Sequence, residues 1–186
     1  MSIADAALLV IDVQKGFDSE VWGRRNNPDC EANIARLVRA WQQRGRPVIY
    51  VHHDSVKPGS PLAKGTLGNE YKDVLSADAD LHISKVVHSA FYGTPDLKGW
   101  LDDHRIPAVA ITGITTDHCC ETTARMAGDL GLDTYFILDA THTFDRQHPD
   151  GPTITADDVA AATAASLHTE FATVLSTDDT LTLLDG

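Results

Sequence analysis

The chain has 186 residues and carries 15 Lys plus Arg against 27 Asp plus Glu, a formal net charge of −12, which argues against nucleic acid or an anionic membrane as partner. Its 42% apolar and 23% charged residues are an ordinary globular mixture that argues against disorder. Cys30, Cys119 and Cys120 are too few, and odd in number, for a disulfide framework, and fit a reducing, cytoplasmic setting.

Taken in chain order, the opening MSIADAALLVIDVQ has no basic region, and its apolar run meets Asp12 early, so neither a signal peptide nor a membrane span is expected. Ala6 to Val13 reads as a first strand. Glu31 to Arg44 places Ile34, Leu37, Val38 and Trp41 at helical spacing and stops at Gly45. Val48 to His52 is β-branched and aromatic, a second buried strand. Asp54 to Asn69 is rich in Pro, Gly and Ser and reads as a long loop. Leu81 to Val87 is a weaker third strand, followed by a short amphipathic stretch from Pro95 to Asp103. Ala108 to Thr112 is a fourth strand, Asp117 to Leu130 a helix ended by Gly131, and Thr134 to Leu138 a fifth strand. Thr143 to Pro152 reads as a second loop. Ala156 to His168 is a helix with Thr155 as its cap, Ala172 to Leu175 a sixth strand, and Thr177 to Leu184 a closing helix.

Apolar strands separated by helices predict one α/β domain over residues 1–186: a three-layer α/β/α arrangement around a mainly parallel sheet. Right-handed crossovers give it a Rossmann-like, doubly wound order, 3-2-1-4-5-6. Loops as long as these two are usually functional covers or partner contacts.

Ligands of such sheets bind beyond the carboxyl ends of the strands. Asp12 falls there, where a carboxylate is either a structural cap or a functional group. Lys85 lies between apolar neighbours, and by itself reads as a stem along the sheet with its ammonium in water. Cys119 falls in the first turn of a predicted helix, where the positive end of the helix lowers a thiol pKa and free N–H groups hold an oxyanion; alone, such a Cys reads equally as a buried small hydrophobe. Cys120 points about 100° away and suits a buried role. His52 and His53 point to opposite faces of a strand and make a poor chelate, so no metal is expected. His88, His118 and His142 are scattered. Strand one is followed by QKGFDSEVWG, which is neither a P-loop nor a dinucleotide fingerprint, and no cofactor is expected.

ALLVIDVQKGF, ISKVVHSAF and ITGITTDHCCETTARMA together resemble the isochorismatase-like cysteine hydrolases, from about Asp5 to about Thr180. The resemblance implies a catalytic triad of Asp12, Lys85 and Cys119, with Cys119 chosen over Cys120 by the family's Gly-Thr-Asp-Cys pattern at Gly113, Thr116, Asp117 and Cys119. It also implies a cis peptide at Ile114–Thr115 and an oxyanion hole from the N–H groups of Thr115 and Cys119. Members that cleave isochorismate lack the Cys, so its presence points to amide- or imide-type C–N hydrolysis through a thioester, with Asp12 as base and then acid. The nicotinamidase branch carries a metal-binding Asp-x-His; here Asp54 is followed by Ser55 and Val56, and no His lies between His53 and His82. Phe17, Trp22, Phe91, Tyr92 and His118 are the expected substrate-binding side chains, for a small amide-type molecule. The resemblance further implies a homodimer or larger homo-oligomer. The competing reading is a silent binding or partner module on the same fold.

Overall fold

A computed structural model describes residues 2–75 and 78–185. Among the described residues the strands are β1 (Ala6–Ile11), β2 (Val48–His53), β3 (Leu81–Lys85), β4 (Ala108–Ile114), β5 (Asp133–His142), β6 (Arg146–Gln147), β7 (Thr153–Ile154) and β8 (Thr173–Leu175). The α-helices are α1 (Cys30–Gln43), α2 (Leu97–Asp103), α3 (Glu121–Asp129), α4 (Ala156–Leu167) and α5 (Thr177–Asp185). The main sheet has six parallel strands in the order β3-β2-β1-β4-β5-β8. That is the expected doubly wound order, with β8 in sixth place. The displaced count comes from β6, inside the stretch read as a loop, and β7, just after it, which form a two-stranded antiparallel ladder. Two-residue strands carry too short a pattern to announce themselves in sequence.

Alternate residues of each strand feed two apolar layers, because side chains along a strand point to opposite faces. Leu8, Val10, Val48 and Tyr50 pack with Ile34, Leu37, Trp41 and Leu184 of α1 and α5. Leu9, Ile11, Ile49, Val51 and Ile83 pack with Leu97, Leu101, Ala124, Ala127 and Leu167 of α2, α3 and α4. Each fully buried Leu or Ile contributes roughly 1.5–3 kcal/mol. Trp41, fully buried, donates its indole N–H to the Ala6 carbonyl at 2.9 Å, so its one polar atom is satisfied. Caps fall where short polar residues permit: Asp96 accepts from the backbone of Lys98 and Gly99, and Thr155 from Asp158.

Two backbone features shape the carboxyl edge of the sheet. Asp12 leaves β1 with φ +54, a left-handed conformation that Asp tolerates better than most residues. Gly113 in β4 has φ +130, and a Cβ there would lie 2.0 Å from the Ile11 carbonyl oxygen. Only glycine lets β4 run this close to the end of β1. The Ile114–Thr115 peptide that follows is cis.

Candidate active site

The ends of β1, β2 and β3 and the turn after β4 converge on one cavity of about 310 Å³. β2 and β3 run in register with His53 beside Lys85, which brings both residues to the edge where Asp12 emerges. Lys85 Nζ lies 2.6 Å from Asp12 Oδ2 and 3.3 Å from Cys119 Sγ. The side chains of Asp12 and Lys85 have no exposure at all, and Cys119 is 7% exposed. The lysine therefore does not reach water, contrary to what its sequence setting alone suggests. Its charge is matched internally, which a buried ammonium requires. Burial works against that charge, but Asp12 and the Cys119 sulfur outweigh it and hold the lysine above its ordinary value.

The turn that carries Cys119 differs from the expected one. Thr116–Cys120 is a wide π-type turn rather than the first turn of an α-helix, and α3 begins only at Glu121. Burial, and then the Asp12 carboxylate, push the Cys119 thiol well above its ordinary value, and the pull of Lys85 does not reverse this. The sulfur stands with the Lys85 ammonium at 3.3 Å and the Asp12 carboxylate beside it. Cys120 is fully buried among apolar residues, where burial drives its thiol up as well.

The cavity walls come from three places. Phe17 and Trp22, with ring centroids 5.2 Å apart, form an aromatic wall backed by Phe144, and Trp22 donates its indole N–H to the Gly16 carbonyl at 2.8 Å. Ser55, Val56, Lys57, Ser60 and Leu62 of the long loop close another side. Thr115, His118, His53, His88 and Arg146 complete it. Of the five expected substrate-binding residues, Phe17, Trp22 and His118 face the cavity, whereas Phe91 and Tyr92 do not. The short turn Ala90–Tyr92 after β3 rotates Phe91 into the core against α2 and α3, and leaves Tyr92 70% exposed on a neighbouring groove with Asp54, Lys64 and Thr94.

Sequence reasoning passed over three cavity residues. His53 was set aside with His52 as a poor chelate, yet it stands 3.4 Å from Lys85 Nζ, and burial and that ammonium hold its imidazole low. His88, three residues beyond β3, has Nδ1 3.6 Å from Cys119 Sγ. Arg146 reaches in from β6 and binds Asp117 through Nε at 2.9 Å and Nη2 at 3.1 Å. Burial opposes the charge of Asp117, but Arg146 and Thr143 hold it below the usual carboxylate range. This clamp fixes the turn that carries Cys119. Only the fold brings Arg146 here, and no local sequence signal marks it.

Asp12, His53 and Cys119 each offer a metal-ligand atom, all within 4.8 Å of one another. Lys85 Nζ contacts all three, so a cation already serves these donors. The Asp-x-His pattern of the nicotinamidase branch does not fit here either. Asp54 spends its carboxylate on Ser84 at 2.7 Å, Asn69 at 3.1 Å and His52 at 3.2 Å. Among the described residues, no helix is long and apolar enough to cross a membrane.

The model of the isochorismatase domain matches residues 6–179. The isochorismatase family protein YrdC of Bacillus subtilis is 42% identical over 173 residues, covering 92% of each chain. Nicotinamidase 3 of Arabidopsis thaliana is 31% identical over 156 residues, covering 76% of this chain and 75% of its own. A crystal structure of an isochorismatase-family protein from Chromobacterium violaceum superposes with a TM-score of 0.92 at 35% identity, covering 98% of this chain and 94% of its own. With this sheet order, this cavity and these relatives, the chain belongs to the isochorismatase family.

Proposed function

We propose that the chain is a cysteine-dependent hydrolase that cleaves an amide- or imide-type C–N bond of a small molecule through a thioester on Cys119. One observation carries the reading: a nucleophilic sulfur at the cavity wall, 3.3 Å from a sealed ammonium that is itself 2.6 Å from a sealed carboxylate. Such a triad has a chemical use that packing does not supply, since a buried ion pair is weak evidence for stability. The kinship with a nicotinamidase agrees with amide chemistry.

In this reading Asp12 takes the Cys119 proton as the sulfur attacks the substrate carbonyl. Lys85 holds Asp12 in place and stabilises negative charge on the sulfur. The N–H groups of Thr115 and Cys119 receive the oxyanion. Asp12 then passes its proton to the departing nitrogen, and water opens the thioester. Phe17, Trp22 and His118 would hold the rest of the substrate.

A panel of small amides, with ammonia release as readout, tests this. The expected result is at least one turned-over amide whose rate falls about 100-fold or more in Cys119→Ala, with the fold intact. A native fold that turns over none of a broad panel would favour the silent binding module.

The proposal extends to a homo-oligomer. The β3 edge of the sheet is flanked by exposed Val56, Val86 and Tyr92, and a second copy would cover them. Light scattering that gives the mass of a single chain at working concentration would contradict it.

A further inference from the structure

We propose that His88 is the base that delivers water to the thioester, so that the two halves of the reaction use different proton carriers. The inference rests on the thioester reading and divides its labour. Around Cys119 Sγ stand Lys85 Nζ at 3.3 Å and His88 Nδ1 at 3.6 Å, and a carboxylate oxygen of Asp12 lies within 4.8 Å of the sulfur. Asp12 and Lys85 have no exposed side-chain surface. His88 is exposed and lines the cavity. Asp12 lines the same cavity but its side chain is sealed, so in this proposal water that enters after the amine departs is taken up by the exposed His88.

The surroundings suit that task. The His88 ring stacks on His53 at 6.4 Å between centroids with 15° between planes, and faces His118 at 5.7 Å. These neighbours orient the ring while leaving it open to the cavity. Burial holds His53 and His118 low, so neither competes as a cation beside it. Imidazole is the side chain suited to accept and release protons near neutrality.

The step balances. The water oxygen bonds to the thioester carbonyl carbon, and one of its protons goes to His88 Nδ1. The C–S bond breaks, and the sulfur leaves with the bonding electron pair. The imidazolium returns the proton across the 3.6 Å gap, which restores the Cys119 thiol and neutral His88 and frees the carboxylic acid.

The test uses p-nitrophenyl acetate, which acylates a reactive thiol without knowledge of the natural amide. Wild type, His88→Ala and His88→Gln are compared by stopped flow and peptide mass mapping. Both variants are expected to release a first equivalent of p-nitrophenolate at the wild-type rate. They should then turn over about 100-fold or more slowly, with acetyl accumulating on Cys119. Added imidazole should restore turnover in His88→Ala. Wild-type turnover in both variants would overturn the proposal, as would a slower first equivalent without accumulated adduct. If no adduct forms on Cys119 in any protein and turnover survives Cys119→Ala, the thioester reading itself fails and this inference with it.

Discussion

Lys85 shows how far a single residue's meaning depends on its neighbours. Its sequence setting suits a lysine that reaches water, yet folding carries it to a site with no exposure and two partners. Removing one member of a buried pair strands the other, at a cost of about 3–5 kcal/mol. Lys85→Met is therefore expected to lose activity and also to lower the urea midpoint, whereas Cys119→Ala should lose activity alone. Equal stability of Lys85→Met and wild type would show that Asp12 is not held by the lysine. Cys120→Ala is expected to keep most activity, since its sulfur is sealed among apolar residues away from the cavity. If it were instead the lethal change, the nucleophile would be misassigned. The triad was legible as a set only through the family resemblance of the three segments, since by its own setting Lys85 reads as a lysine that reaches water. His88 and Arg146 were not legible: one stands on a turn after a strand, the other on a two-residue strand, and neither setting has a periodicity to read.

At the level of elements, the approach of β4 to β1 decides whether the site exists. Gly113 sits at φ +130 with the Ile11 carbonyl where a Cβ would go. Gly113→Ala is expected to cost more than about 3 kcal/mol or to yield no soluble protein. Retention of wild-type stability on urea unfolding would mean that β4 can move away without penalty. The strands and helices were readable because burial on both faces gives continuous apolar runs and helices give a 3.6-residue period. The π-type turn at Thr116–Cys120 was not, because its residues are compatible with an ordinary helix and the distinction lies in backbone geometry.

For the molecule as a whole, pH and metal are the informative variables. His142 is fully buried at the end of β5; burial first, and then Arg25, hold its imidazole at about 3 against 6.5 for an ordinary histidine. Glu31 is held at about 2 against 4.5, because hydrogen bonds from Arg25 and Lys72 overcome the effect of burial. Both shifts are downward, so at acid pH the unfolded chain binds more protons than the folded one and stability falls. The His142 contribution is lost between pH 6.5 and about 3, and the Glu31 contribution between 4.5 and about 2. His53 and His118 act with the same sign. Urea midpoints should decline steadily below pH 6.5, and His142→Phe should decline less between 6.5 and 4.5. An identical slope in wild type and variant would remove His142 from the account. Dialysis against a chelator is expected to leave turnover unchanged, since Lys85 already supplies the cation for Asp12 and Cys119. A loss restored by Zn²⁺ would contradict that.

The measurement that bears most directly on the central claim is acid quenching during turnover of an amide substrate, followed by peptide mass mapping. The account predicts the substrate's acyl group on the peptide that carries Cys119 and Cys120, with fragment ions placing it on Cys119 and nothing on Cys30. Sustained turnover with no adduct on any cysteine, and undiminished in Cys119→Ala, would contradict it.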